Sequence, residues 1–401
     1  MGFKRIIILG AGHEQTSAIK MCKKLNIKNI VCDQNKNAFG KIFSDKFYKC
    51  DITDYKKILK LAKKFNIDGI FTLCLDVAVP VVSKISNVLN LHNISLLTSR
   101  LSTNKSEMKK VFQSKGISTP NFDLIKNLSE YKKFRKYNKL PIVLKPTDSS
   151  GQKGVFLIRK DVKIKDKISL IKKISSDKKI IVEKYHHGYE INVVAIVENK
   201  KIEFLSISHR KTYPYKNFGI ATSHIYPPNL TSKELKEIKN ISRKAIKAIG
   251  IENGVAYPQI IIGKGECKMI EIASRLPGGF MREMALLVSG IDPLEFLLKK
   301  IIGKKNVLKK IKRSKRKKSV FIKFFTKLDF IDKKRIKKIK GIDNAKKTNG
   351  IYDVFIKKIS SIPDLKESNN RFGAIISYGE SIKKAKKNCD KAKNKIIFET
   401  K

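Results

Sequence analysis

Apolar and polar positions alternate in blocks along the chain, and the block pattern changes twice. The opening stretch "KRIIILGAGHEQTSAIKMCKKLNIKNIVCDQNK" reads as an apolar run, a glycine turn, an amphipathic segment and a second apolar run. "DYKKILKLAKKFNIDGIFTLCLD" repeats the helix–strand unit. Such alternation predicts a parallel sheet with crossover helices, here over residues 1–103. From Asn104 the pattern differs. "NKSEMKKVFQSKGISTPNF" predicts a helix stopped by Gly116 and Pro120. Strand-rich segments follow ("LPIVLKP", "GVFLIRK", "KIIVEKY", "YEINVVAIVENKKIEFLSISHRK"), then a helix over roughly 232–249, a hairpin-like segment and a helix containing "MREMALLVSG". A cationic run over 304–318 looks like a boundary, and short strands with one helix occupy 304–401. The expected fold class is α/β: a parallel-sheet domain (1–103), an α+β domain (104–303) and a small α+β subdomain (304–401).

Composition sharpens this picture in two places. The 401 residues carry a formal net charge of +53, which raises nucleic acid as a partner. The lysines, however, are spread over nearly every polar face, as in "KELKEIKNISRKAIKAIG", with few interleaved aromatics and no Trp. A solvated, compositionally biased surface accounts for that distribution, so no specific nucleic acid is expected. The six cysteines show no C-x-x-C pair and no spacing suited to zinc. Most sit in apolar strands, as reduced core thiols would in a cytoplasmic protein. No apolar run approaches a membrane span, and the chain enters a strand at once without a leader pattern, so no membrane partner is expected.

Three stretches hold candidate chemistry. Gly10-Ala11-Gly12, with Asp33 ending the next strand, invites a dinucleotide reading. Gln15, though, stands where that fingerprint needs a third small residue, so a tight strand-to-helix turn is the better account. "PIVLKPTDSSGQKGV" puts Lys145 at the end of an apolar run, before a Ser/Gly loop. That placement suits gripping a polyanion; in so lysine-rich a chain, one more solvated lysine is the alternative. "YPQIIIGKGECKMIEIASR" predicts a hairpin turning at Gly263-Lys264-Gly265. Gln259 and Glu271 can face each other across it, where oxygen ligands on adjacent strands could hold magnesium. An ordinary surface hairpin would show the same alternation.

Taken in order, these pieces resemble the ATP-grasp superfamily, in its carboxylate–amine ligase and carbamoyl-phosphate synthetase-like branch. The resemblance spans essentially the whole chain, with 1–103 as the domain that precedes ATP-grasp and 104–303 as the nucleotide-binding and catalytic domain. It implies Lys105 and Lys145 as phosphate-contacting lysines, and Ser150, Gly151, Lys153 and Gly154 as a mobile flap over the phosphates. In "VEKYHHGYEINV", Glu183 would take the adenine amino group, Lys184 and Tyr185 would line the hinge, with Tyr185 offering backbone atoms, and Glu190 would hold the ribose or order the site. Gln259 and Glu271 would be the metal ligands, and Arg275, with Lys145, would act in catalysis. The chain departs from the family in having Gln259 where Glu is usual and Ala273 where Asn is usual. ATP and Mg2+ (or Mn2+) are the implied cofactors, and a small-molecule carboxylate and an amine the implied substrates. The implied reaction is ligation through an acyl phosphate, releasing ADP and phosphate; a homodimer is compatible with it. Rival readings are carboxylation through carboxyphosphate, a nicotinamide oxidoreductase and a basic nucleic-acid binder. His186 and His187 read as polar hinge residues, while His209, Arg210 and Arg282 are further candidates for substrate contact.

Overall fold

The computed structural model describes residues 3–213, 218–263, 265–329 and 335–400. Lys264, the middle of the expected hairpin turn, lies outside the described residues.

Strands Lys4–Leu9, Ile27–Asp33, Lys46–Lys49 and Gly69–Thr72 form a parallel sheet, in the order third, second, first, fourth. Ile6, Ile7, Ile8 and Leu9 are all fully buried because both faces of a parallel sheet are covered. Their period-two alternation feeds two cores. Ile7 and Leu9 pack with Ile58 and Val82, while Ile6 and Ile8 join Leu276, Met284 and Phe296 from much later in the chain. The second contact fixes the first domain against the rest of the molecule.

A second layer is a small antiparallel sheet in the order Phe122–Ile125, Ile180–Lys184, Ile142–Pro146, Phe156–Ile158. Ile142, Leu144, Ile180 and Val182 point into its own core with Tyr131, Ile164 and Ile171. Alternation therefore sends Val143, Lys145 and Glu183 to the opposite face, towards the rest of the molecule.

The third layer is an eight-stranded antiparallel sheet. Its order is Glu266–Ala273, Gly254–Gly263, Tyr189–Glu198, Lys201–Thr212, Ala221–Tyr226, Ser319–Phe325, Gly373–Gly379, Ile351–Ile356. Helix Ser232–Ile249, started by a capping box at Thr231 and ended by left-handed Gly250, covers one face. The cationic run does not divide this sheet. Ser319–Phe325 pairs with Ala221–Tyr226, so the C-terminal strands extend the sheet begun before residue 304. Local periodicity cannot report a pairing between strands so far apart in sequence.

Among the described residues no helix is long and apolar enough to cross a membrane. All six cysteines are unpaired, and every one but Cys74 is buried.

Candidate active site

Two cavities meet where the three layers converge. The larger, about 520 Å³, runs from the Gly12–Gln15 turn past Asp76 to Lys357 and Arg371. The smaller, about 110 Å³, lies between the small sheet and the central sheet and is lined by Lys145, Glu183, Lys184, Tyr185 and Glu190. Lys105, Ser150, Gly151, Gln259 and Glu271 line both.

Lys105 opens helix Lys105–Ser114, whose cap residue Asn104 accepts from the Ser106 and Glu107 N–H groups. Its ammonium donates to the Ser149 carbonyl and lies 3.6 Å from the Glu271 carboxylate. One helical turn on, Lys109 is fully buried. Glu183 sits between two lysines, with Lys145 Nζ at 2.6 Å from Oε1 and Lys109 Nζ at 2.9 Å from Oε2. Lys109 also donates to Thr119 Oγ1 at 2.9 Å, and Thr119 donates to the Met269 carbonyl at 2.8 Å, so the triad ties the small sheet to the central one. Burial opposes the charge on Glu183, but Lys109 and Lys145 outweigh it and hold the carboxyl at about 2. Burial likewise pulls Lys109 down to about 8, against the attraction of Glu183. Lys109 was invisible in the sequence because "NKSEMKK" reads as solvated lysines. The signal was its spacing of four from Lys105, beside buried Met108 and Phe112.

The Ser/Gly loop reaches across the cleft. Gly151 and Gly154 have φ of 66° and 75°, and the Gly151 carbonyl accepts from the Ser368 N–H at 2.9 Å. Lys153 is exposed and faces a groove on the outer side of the loop, apart from both cavities. At the hinge, the Tyr185 N–H donates to the Pro141 carbonyl at 3.1 Å. Glu190 accepts from Thr212 Oγ1 at 3.1 Å and pairs with Arg210.

On the hairpin, Gln259 and Glu271 are direct cross-strand partners. Gln259 Nε2 donates to Asn192 Oδ1 at 3.2 Å, and Asn192 Nδ2 lies 3.3 Å from His224 Nδ1. With its N–H2 group so held, the amide oxygen of Gln259 is left for the cleft. Ala273 lines the cavity without a ligand atom, and neighbouring Ser274 is bonded to Ser102 at 2.7 Å. Arg275 donates from Nε and Nη2 to the two oxygens of Asp76, at 2.7 and 2.5 Å. Burial works against the guanidinium's charge, yet Asp76 keeps it above its usual range.

The glycine turn is consumed by its own structure. The Ala11 N–H donates to Asp33 Oδ2 at 2.7 Å, and buried Gln15 donates to the Leu73 carbonyl at 2.6 Å. Other candidates lie elsewhere. His209 stacks edge-on with Tyr189, and Arg282 is held by Asp292 and Glu283. Arg210 does line the cleft, whereas Glu14, Asp76, Asn192, His224, Lys357 and Arg371 are cleft or cleft-supporting residues that sequence reasoning missed.

This donor set fits a magnesium polyphosphate. Two ammonium groups and two oxygen donors converge, and Asp148 Oδ1 and His186 Nε2 are buried beside the cavities without hydrogen-bond partners among the described residues. Among the described residues no three His, Cys, Asp or Glu side chains cluster as a metal site, so a cation there would take its remaining ligands from phosphate and water.

Residues 103–278 match the phosphoribosylglycinamide synthetase ATP-grasp (A) domain. A D-alanine–D-alanine ligase of Pelagibacter ubique (strain HTCC1062) is 27% identical over 317 residues, 74% of this chain and 97% of that protein. A carbamoyl phosphate synthase large chain of Clostridium beijerinckii is 24% identical over 290 residues, covering 68% of this chain but only 27% of that protein. Among solved structures, phosphoribosylglycinamide synthetase from Anaerococcus prevotii superposes with a TM-score of 0.81 at 24% identity, covering 100% of both chains. The biotin carboxylase domain dimer of Hydrogenobacter thermophilus 2-oxoglutarate carboxylase, in complex with MgADP and bicarbonate, gives a TM-score of 0.78 at 15% identity, covering 100% of this chain and 91% of that one. The fold is therefore ATP-grasp. The chain is thus similar, over residues 103–278 and in its fold, to ATP-grasp ligases and to carbamoyl phosphate synthase.

Proposed function

We propose that this ATP-grasp enzyme joins a small-molecule carboxylate to an amine, using ATP and releasing ADP and phosphate by way of an acyl phosphate. The observation that carries the reading is the convergence of Lys105, Lys145 and the Gln259–Glu271 pair where the two cavities meet. Magnesium bound with ATP would neutralise phosphate charge in transit, held by Gln259 Oε1 and Glu271.

The chain's own groups do the positioning. Lys145 is 5% exposed and sits on a strand, so its charge is fixed before phosphate arrives. Glu183 is the partner that fixes it through Oε1, while its Oε2, in an ion pair with Lys109 but without a hydrogen bond among the described residues, would be open to the adenine amino group. Tyr185, Lys184 and Glu190 would line the nucleoside slot, and Ser150, Gly151 and Gly154 would close over the phosphates. Arg275, oriented by Asp76, would steady the leaving oxygens of the acyl phosphate. No enzyme nucleophile is needed. Cys74, the one thiol in the cleft, is pushed well up by burial and by Glu14, which favours the unreactive thiol. Six unpaired thiols suit the cytoplasm.

ADP release from ATP–magnesium, screened over carboxylates with and without a mixture of amines, tests the reading. Release that requires both an acid and an amine supports ligation. Release that requires bicarbonate instead supports the carboxylase reading, and no release under any combination contradicts both.

A further inference from the structure

Arg275 also lines a third cavity, of about 570 Å³, that the proposed reaction leaves unused. Phe71, Val79 and Val82 reach it from the parallel-sheet segment, and Leu297 and Ile301 from helix Pro293–Ile301. Phe71, Val79, Val82 and Ile301 are buried, so its floor is apolar. A hollow of that volume between two packed units is an ordinary place for a small molecule. Its mouth is shaped by a glycine. Gly303 follows the helix with a φ of 82°, and a Cβ there would stand 3.0 Å from His92 Nε2. The glycine therefore leaves room for the imidazole beside the opening.

The sign of its charge sets this cavity apart. Glu14, Asp76, Asp148 and Glu271 line the larger cavity of the active cleft, Glu183 and Glu190 the smaller, and Asp364 and Glu367 the groove outside the loop. Among the described residues no carboxylate lines the third cavity, whereas Arg275, Lys300, Lys304 and Lys305 all do. Two of these cations are already matched. Arg275 pairs with Asp76, and Lys300 Nζ lies 3.1 Å from Glu198 Oε1. Glu198 also accepts from the Val307 and Leu308 N–H groups, both at 2.9 Å. Lys304 and Lys305 are exposed at the mouth, and among the described residues neither ammonium has an ion pair or a hydrogen bond. The side-chain amides of Asn199 and Asn306, on the same rim, are also without partners there. The last carbonyls of the helix would repel an anion, but Leu298, Lys299 and Lys300 already accept from the N–H groups of Ile302, Lys304 and Gly303.

We propose that this cavity is a ligand site distinct from the active cleft, built for a small organic anion: an apolar body ending in one carboxylate or phosphate. The head would lie at the mouth on Lys304 and Lys305, with the amides of Asn199 and Asn306 as further donors. The body would lie inside, against Phe71, Val79 and Leu297. An exposed lysine pair alone would signify little in this chain. Here the pair rims an apolar hollow that holds donors and no opposing charge, which favours an anion and disfavours a cation. Arg275 walls the site without serving it. Its Nε and Nη2 donate to Asp76, and its Nη1 donates to the Leu276 carbonyl at 3.2 Å. The occupant would therefore bind in addition to the molecules in the active cleft, and the site does not depend on the ligase reading.

The test is calorimetric titration of the full chain with octanoate and with phenyl phosphate, each with and without ADP–magnesium. Salt is held at about 0.15 M, where loose attraction to surface lysines is screened. Octylamine and phenol carry the same apolar bodies without the anion, and inorganic phosphate carries the anion without a body. At least one of the two acids should bind one to one, equally well beside ADP–magnesium, and the three controls should bind at least about tenfold more weakly. The tighter acid identifies the head group as carboxylate or phosphate. Lys304→Gln/Lys305→Gln should weaken that acid about tenfold or more, the size of a lost charged hydrogen bond. Lys383→Gln/Lys391→Gln removes the same charge from the exposed face of helix Ile382–Lys393 and should leave binding unchanged. An unchanged Tm for both double variants shows that each still folds. Equal weakening by the two double variants would mean diffuse attraction to a chain of net charge +53 and would overturn the proposal. So would the absence of binding by both acids, octylamine as tight as octanoate, or displacement of the acid by ADP–magnesium, which would put it in the active cleft.

Discussion

The two ends of the cleft handle charge in opposite ways. At the end proposed for the phosphates, Lys109, Lys145 and Glu183 are buried and matched, leaving one surplus positive charge on a fixed frame. At the far end, Glu14, Lys357 and Arg371 are half-buried and in no ion pair among the described residues. A site for a polyphosphate can be assembled in advance, because the partner always brings the same charge. A site that discriminates among substrates gains by leaving its charges to be completed, since a substrate lacking one of them leaves a buried group unpaired.

The contrast breaks most sharply at Lys145. Lys145→Ala should remove most turnover, on the order of 10²-fold or more, because it deletes a preorganised charge and strands Glu183 beside Lys109 alone. Lys153→Ala, on the exposed outer side of the loop, should cost less than about tenfold. ADP release measures both. Equal, small losses would mean that Lys145 belongs to the solvated lysine background and that the phosphate end is not preorganised.

Lys109 sharpens the comparison one step further from the phosphate. By sharing Glu183 it keeps Lys145 from being fully neutralised. Lys109→Met should therefore weaken ADP about tenfold in calorimetric titration while leaving adenosine binding nearly unchanged. A variant that loses both equally has lost structure, not charge.

The same residue sets a pH dependence with a definite sign. Lys109 is lowered to about 8 in the folded chain, against about 10.4 for an unperturbed lysine. Between those values the unfolded chain binds more protons than the folded one, so Lys109 makes stability rise with pH there. ADP affinity should fall over the same window as the surplus charge is lost. Urea unfolding and ADP titration at pH 7, 8 and 9 read the two trends, and parallel loss of both would contradict this account.

The smallest effects are expected where the hairpin departs from the ATP-grasp pattern it resembles. Gln259→Glu and Ala273→Asn should tighten magnesium and leave turnover within roughly tenfold, about 1.4 kcal/mol of barrier. Ser274, tied to Ser102, does not supply the missing oxygen, so the asparagine side chain has no competitor for that place. A magnesium titration of ADP release separates affinity from rate.

How much of this was legible in the sequence follows the same division. The alternation of apolar runs with amphipathic segments predicted the parallel strands, and an apolar run ending in Lys145 marked that lysine as strand-borne. Spacing across a glycine turn placed Gln259 opposite Glu271, and the register agrees. Both signals are local. The rest depends on contacts between distant segments. Glu14 sits inside a turn read only for its glycines and Gln15, Arg371 lies in the stretch read as a small C-terminal subdomain, and Lys109 is one lysine among many. The cationic run over 304–318 is conspicuous in the sequence, while the pairing of Ser319–Phe325 with Ala221–Tyr226 leaves no trace in either strand.

The claim that the hairpin at the cavity junction carries the metal of an ATP-dependent reaction stands most directly on Glu271. It is the only carboxylate of the proposed pair and lies 3.6 Å from Lys105. Glu271→Gln keeps size and an oxygen but removes the charge. ADP release is to be measured against magnesium concentration for the wild type and this variant, with the acid and amine that drive turnover. The account expects turnover to be nearly abolished at every magnesium concentration. A fully active Glu271→Gln variant with an unchanged magnesium dependence would contradict it.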